Sequence, residues 1–205
     1  MTSPGEPTGP PPRFEAAYAG TPPWDIGRPQ PAFVALAETG AVAGRVLDVG
    51  CGTGEHTLMA AGIGLEAVGI DSAPSAIHRA RRKAKDRNLA TRFALGDALA
   101  LDQLVTSPAD TFDTVLDCGL FHVFTDQDRL RYVASLRAAT GPGSRFHLLC
   151  FSDQVPGNTG PRRITAAEIV AAFAADWDIH EIRRDSIDIT SGAQLPAWLA
   201  SLVRR

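Results

Sequence analysis

The run Arg45-Val46-Leu47-Asp48-Val49-Gly50-Cys51-Gly52-Thr53-Gly54, with the carboxylate of Asp71 beyond it, has the residue types and spacing of a nucleotide-binding turn. Val46, Leu47 and Val49 suit a parallel strand covered on both faces. Gly50, Gly52 and Gly54 remove the Cβ where the backbone must turn sharply and a ligand must come close. Amides at the start of a following helix then point at that ligand. Asp71 ends Ala67-Val68-Gly69-Ile70-Asp71, about 20 residues past the turn, where an acidic side chain meets ribose hydroxyls in such folds.

The glycine spacing discriminates between cofactors. A G-x-G-x-x-G dinucleotide fingerprint needs a glycine at position 55 or 57, which hold Glu55 and Thr57. The actual spacing is G-x-G-x-G, preceded by Asp48. A carboxylate at that turn repels phosphates and attracts an ammonium, so it suits a cofactor carrying positive charge. No G-x-x-x-x-G-K-[ST] run is present. A nicotinamide-dependent oxidoreductase is disfavoured by the spacing. A binding or regulatory protein that keeps the pocket without the chemistry remains a rival.

These residues resemble a family. Leu47 to Gly54 looks like the first motif of class I S-adenosylmethionine-dependent methyltransferases, and Gly69-Ile70-Asp71 like their ribose-binding strand end. Phe93-Ala94-Leu95-Gly96-Asp97-Ala98 resembles the adenine-edge motif, and Phe112-Asp113-Thr114-Val115-Leu116-Asp117 the fourth strand, which ends at the reaction centre. The resemblance runs from about Arg13 to the C-terminus. It implies S-adenosyl-L-methionine as cofactor, held by Asp48, Gly50, Cys51, Gly52, Gly54, Asp71, Ser72, Asp97, Ala98 and Asp117. It also implies an α/β, Rossmann-like fold with a seven-stranded, mostly parallel sheet and helices on both faces.

Methyl transfer is an in-line displacement in which a nucleophile takes the methyl group and a sulfonium leaves as a neutral thioether. Alignment and exclusion of water do most of the work. A base matters only for an acceptor that is not already ionised. Asp117-Cys118-Gly119-Leu120-Phe121-His122-Val123-Phe124 follows the fourth strand, at the carboxyl edge where ligands bind in such sheets. His122 is the candidate base or acceptor-orienting group, or else a histidine that hydrogen-bonds backbone in an aromatic loop. Asp117 is expected to help hold the methionyl part of the cofactor, and Phe121 to face the acceptor. Neither Asp117 nor His122 fits the Asn/Asp-Pro-Pro-Tyr/Phe pattern of nucleic-acid or glutamine methylation.

Pro22-Pro23-Trp24-Asp25-Ile26-Gly27-Arg28-Pro29-Gln30-Pro31 reads as a lid with Trp24 beside the sulfonium or adenine, or as a plug on the sheet edge. A desolvated cation on an indole face gains ~1–2 kcal/mol. The segment resembles the N-terminal piece of thiopurine-, thiol- and tellurite-type methyltransferases. The Gly- and Pro-punctuated loop Phe151 to Arg163 also lies at the carboxyl edge, with Arg162 or Arg163 as a candidate to orient an anionic or carbonyl-bearing acceptor and at least one of them expected in solvent. With the Phe121-His122 stretch, this loop resembles bacterial enzymes that methylate hydroxyquinolones and quinols. The expected acceptor is therefore an O, N or S atom of a small heteroaromatic molecule, with a thiol or thiopurine as the alternative. His56 could face the cofactor. His78, His147 and His180 have no metal-ligand spacing, so no metal is expected.

The remaining sequence fits one domain over residues 13–205, with a lid segment at 13–40 and an unstructured Pro- and Gly-rich tail at 1–12. A chain of 205 residues can bury a substantial core. Its net charge of −3 with mixed signs argues against nucleic acid as partner. The basic run Arg79 to Arg87 reads as the solvated face of a helix that buries Ile77, Ala80 and Ala84. Neither a signal peptide nor a transmembrane stretch is read, and three cysteines without CxxC spacing suit buried thiols, so a cytoplasmic location is expected. Predicted strands are 45–49, 66–70, 91–95, 111–117, 145–151, 177–184 and 185–190, the last pair as a hairpin. Predicted helices are 30–38, 55–61, 75–87, 126–139 and 166–174, the last two opened by capping boxes at Thr125 and Thr165.

Overall fold

The computed structural model describes residues 12–105, 107, 110–157 and 160–205. The expected tail at 1–12 lies outside them except for Pro12, which opens the first helix. In chain order the elements are α1 (Pro12–Ala17), α2 (Pro31–Glu38), β1 (Val46–Val49), α3 (Glu55–Gly62), β2 (Ala67–Asp71), α4 (Pro74–Asp86) and β3 (Arg92–Leu95). There follow β4 (Phe112–Cys118), α5 (Asp126–Ala139), β5 (Thr140–Phe151), α6 (Ala166–Phe173), β6 (Trp177–Asp188) and β7 (Gln194–Arg204). The sheet order is β3-β2-β1-β4-β5-β7-β6. All neighbours pair in parallel except β7, which is antiparallel to both β5 and β6. The seven-stranded, mostly parallel fold read from the sequence is thus the one observed.

Every residue of β1 is buried, as a central strand covered on both faces must be. Its side chains alternate between two cores. Leu47 and Val49 join Tyr132 and Leu136 of α5 and Ile169 and Phe173 of α6 on one face. Val46 joins Phe33 of α2 and Ala60 of α3 on the other. On the first face Phe146, Phe173 and Trp177 are fully buried in mutual ring contact. Each such side chain contributes roughly 1.5–3 kcal/mol by burial. α4 buries Ala76, Ile77, Ala80 and Ala84, but its basic run is not wholly a solvated face: Arg79 donates to the Tyr18 carbonyl, Arg81 to the Phe93 carbonyl and Lys83 to Thr53. Thr125 caps α5 by accepting from the Asp128 amide, and Thr165 with Glu168 forms a full capping box on α6.

The predicted hairpin of 177–184 with 185–190 is corrected. Trp177–Asp188 is one continuous strand, and its partner is Gln194–Arg204, which the sequence reading left unassigned. The polar stretch Arg183-Arg184-Asp185-Ser186 imitates a turn but is tolerated because β6 is the edge strand of the sheet. The real turn is closed by the Ile189 amide on the Ala193 carbonyl, with Gly192 at φ +83°. Pro196 argues against an interior strand, yet it pairs with Ser186, and its carbonyl accepts from the Ser152 amide.

Candidate active site

β1, β2, β4 and β5 are parallel, so their carboxyl ends, and the side chains the turns display, converge on one edge. β1 runs into Gly50, Gly52 and Gly54 at φ +67°, +54° and +88°, a left-handed path that favours glycine. At Gly54 a Cβ would lie 2.6 Å from the Phe93 ring, so the turn is also tight against its neighbours. The Gly52 amide donates to Oδ2 of Asp71 at 2.8 Å, and the Ala73 amide to Oδ1 at 2.8 Å. Burial raises the Asp71 carboxyl, with the Asp48 charge adding to it. Ser72 follows directly, and Asp97 and Ala98 stand just past β3, where Asp97 caps the turn by accepting from the Leu99 amide. Cys51 is buried in the turn with its thiol pushed up by burial.

Asp48 points from β1 to the first turn of α3. Its Oδ2 accepts from the amide and hydroxyl of Thr57 at 3.0 and 2.7 Å. Burial pushes its carboxyl up to about 6 despite those bonds. His56 Nε2 accepts from the Gln30 amide at 3.1 Å, and its Nδ1 lies 4.0 Å from Asp48. Burial lowers His56 to about 4, so it is neutral and its proton sits on the Asp48 side.

Asp117, at the end of β4, is fully buried and fully engaged. Its carboxylate accepts from the amides of Leu120 and Phe121 and, at 2.8 Å, from the Tyr132 phenol. Burial raises it to about 7. His122 is 5% exposed; its Nδ1 accepts from the Phe151 amide at 2.9 Å and its ring packs on Phe151. The proton of the neutral ring is therefore on Nε2, which faces Gly119. Burial, then the Arg129 and Arg163 charges, lower His122 to about 3.

The side chains of two expected acceptor residues are engaged within the fold, although the Arg162 amide donates to the His122 carbonyl. Phe121 is fully buried against Phe173, with the Arg129 guanidinium 4.7 Å from its ring centroid. Arg162 pairs with Asp126 at the start of α5 and with Glu168 at the start of α6. Trp24 is 46% exposed, and its indole N–H donates to the Tyr18 phenol at 3.1 Å. Tyr18 is buried, and its oxygen would lie 3.0 Å from a Cβ on Gly52.

Tyr18, Tyr132 and Lys83 were not read from the sequence. Lys83 Nζ donates to the Thr53 hydroxyl at 2.6 Å and to Glu55 at 2.8 Å, and Thr53 donates to Asp25 at 2.6 Å. Arg87 and Lys83 hold the Glu55 carboxyl low against its burial. The segment before α2 is thus tied to the glycine turn. A Gly-x-Gly turn covered by Tyr18 and bounded by Asp48, whose ionisable neighbour at 4.0 Å is the neutral His56, and by Asp71, which is answered by backbone amides, fits a cofactor carrying positive charge. Among the described residues no group of three or more His, Cys, Asp or Glu could hold a metal, and no helix is long and apolar enough to cross a membrane.

A methyltransferase domain model matches residues 46–143. The 2-heptyl-1-hydroxyquinolin-4(1H)-one methyltransferase of Mycobacteroides abscessus is 34% identical over 180 residues, covering 82% of this chain and 78% of that one. A probable thiol methyltransferase of Arabidopsis thaliana is 30% identical over 151 residues, covering 73% and 66%. A structure described under the conversion of a disulfide bond into a thioacetal group during echinomycin biosynthesis is 36% identical, with TM-score 0.83 over 94% of this chain and 91% of that one. Fold and site together define a class I nucleotide-type cofactor enzyme. The chain belongs to the class I S-adenosylmethionine-dependent methyltransferases, and its cofactor is S-adenosylmethionine.

Proposed function

We propose that the chain methylates a heteroatom, first of all an oxygen, on a small hydroxylated heteroaromatic molecule of the hydroxyquinolone kind. The observation that carries this is the lack of a free basic atom on the two candidate bases. Both oxygens of Asp117 accept hydrogen bonds from within the fold, and Nδ1 of His122 is occupied by the Phe151 amide. An acceptor here must bring its own ionised or lone-pair-bearing nucleophile, as an acidic ring hydroxyl does. The Mycobacteroides relative is named for such a compound. Sulfur acceptors also need no base, and the thiol methyltransferase relative supports them as the second reading.

Bound S-adenosylmethionine supplies the electrophilic methyl group. Toward it we assign Asp48, Gly50, Cys51, Gly52, Gly54, Asp71, Ser72, Asp97 and Ala98, with Trp24 and Tyr18 closing the turn from the segment at 13–40. Asp117 acts indirectly by fixing the Gly119–Phe121 backbone, and Nε2–H of His122 is a donor that orients an acceptor oxygen. Residues 13–205 form one working domain on this reading. Three unpaired cysteines suit the reducing cytoplasm. Transfer of labelled methyl from S-adenosylmethionine to hydroxyquinolones, quinols, phenols, thiols and thiopurines, read by mass, tests the proposal. A product on a ring oxygen supports it. A product on sulfur alone moves the assignment to the second reading. Cofactor binding with no product on any of these overturns both.

A further inference from the structure

A cleft of about 470 Å³ opens between the segment before α2 and the β6–β7 turn, lined in part by Asp25, Ile26, Arg28, Asp188, Thr190 and Gln194. That volume lies in the range that holds small ligands. One wall is joined to the cofactor turn, because Asp25 accepts from the Thr53 hydroxyl. The other wall is the end of β6, which runs in the same direction as β5 and so ends at the same edge as the reaction centre. The segment is pinned to this second wall as well. Gln30 exchanges hydrogen bonds with the Asp188 backbone in both directions, and the Thr190 amide donates to the Pro23 carbonyl.

The charges in the cleft are unequally covered. Asp188 is already answered by Gln194 at 2.9 Å and by an Arg28 ion pair, and these bonds hold its carboxyl below the usual range. The Arg28 side chain is 55% exposed while bound to Asp188. Arg28 lines the cleft; one Nη meets Asp188 and the other reaches the Pro29 carbonyl at 3.5 Å, which leaves others of the five guanidinium N–H donors for a planar oxygen acceptor.

We propose that this cleft takes the end of the acceptor remote from the methylated atom, and that Arg28 is the specificity-determining residue, donating to a ring carbonyl or oxyanion there. The inference rests on the heteroaromatic reading above. An ionised hydroxyl conjugated to a ring shares its charge with a second oxygen across that ring, and Arg28 is the cation placed to meet it. The Arg28–Asp188 pair has a second consequence. Asp188 competes with the acceptor for the guanidinium, so Arg28 as recogniser and Arg28 as strap predict opposite effects of removing Asp188.

The test uses the full chain with S-adenosylmethionine and two acceptors: a hydroxyquinolone, which has a ring carbonyl, and 8-hydroxyquinoline, which has none. For Arg28→Met the KM for the hydroxyquinolone is expected to rise at least tenfold, as for a lost charge-assisted bond, with kcat nearly unchanged and little effect on the KM for 8-hydroxyquinoline. Arg28→Lys, which keeps the charge but not the fork, should fall between. Asp188→Asn should lower the hydroxyquinolone KM. Equal losses on both acceptors, or a KM that rises alike in Asp188→Asn and Arg28→Met, mean that Arg28 only straps the segment and overturn the inference. If the unaltered protein methylates neither compound, the heteroaromatic reading itself falls, and this inference with it.

Discussion

The Gly52 amide donates to Oδ2 of Asp71 at 2.8 Å, so the glycine turn and the end of β2 are held as one piece. The bond spans 19 positions of sequence, and it explains why a carboxylate is needed at the end of β2 even before any ligand binds. The same carboxylate accepts from the Ala73 amide, which fixes the entry to α4.

Asp71→Ala is therefore expected to weaken S-adenosylmethionine binding by an order of magnitude or more, by removing both a charge-assisted partner and the brace on the turn. Asp71→Asn can keep one acceptor oxygen, and should lose less. Isothermal calorimetry separates the cases. Unchanged affinity in Asp71→Ala would remove Asp71 from the site.

Cofactor affinity should depend on pH through the buried Asp48 carboxyl. Burial pushes it up to about 6 in the ligand-free protein. A cation placed beside a carboxylate favours its ionised form. Protons and the cationic cofactor thus compete, and affinity falls as pH drops through this value and is flat above it. We expect the Kd for S-adenosylmethionine to rise about fourfold between roughly pH 7.5 and 5.5. S-adenosylhomocysteine, lacking the sulfonium charge, should respond less. Asp48→Asn should flatten the curve, and a pH-independent Kd in the unaltered protein would detach Asp48 from the bound charge.

His122 gives a second pH prediction, on stability. Its folded value is lowered to about 3, below the ordinary histidine value, because the buried ring stays neutral. The unfolded chain then binds the extra proton first. The stability tied to the neutral ring is complete above about pH 6.5 and is lost as pH falls toward 3, by up to about 1.4 kcal/mol per pH unit. His122→Gln, whose side-chain oxygen can still accept from the Phe151 amide, should flatten that acid limb in denaturant melts. Turnover should fall less than about tenfold with an unchanged pH profile, because a base is not being removed. Loss of the profile's acidic limb together with a drop of a hundredfold or more would restore His122 as the base.

Which parts of this were legible in the sequence follows from where the controlling contacts lie. β1 and β2 announce themselves as Val-Leu-Asp-Val and Ala-Val-Gly-Ile-Asp because a doubly covered strand must be apolar nearly throughout. α6 is legible because its cap is local: Thr165 and Glu168 satisfy each other. β7 was not, since Pro196 and the distant pairing with β5 and β6 leave no local signal. Asp48 and Asp71 could be placed by spacing from the glycines. Tyr132 could not, because its bond to Asp117 crosses from α5 to β4. Phe121 looked like an acceptor contact beside His122, but a turn of 3₁₀ helix at Phe121–Val123 rotates its ring into the core.

Lys83 offers the sharpest test of the N-terminal segment as a cover. Its ammonium joins three pieces of chain: Thr53 and Glu55 on the turn, α4 itself, and through Thr53 the Asp25 carboxylate. Lys83→Met keeps the aliphatic stem and deletes the charge. Glu55 retains Arg87, and Lys83 is 24% exposed, so the stability cost is about 1–2 kcal/mol. That corresponds to a Tm lower by roughly 2–8 °C for a chain of this size. The local effect should be larger than the global one. Amide exchange across residues 18–28 should speed up while β1 and β2 stay protected, and the Kd for S-adenosylmethionine should rise severalfold. If exchange in that segment is unchanged, its closure does not run through Lys83, and contacts such as Pro23–Thr190, Gln30–Asp188 and Arg28–Asp188 hold it down.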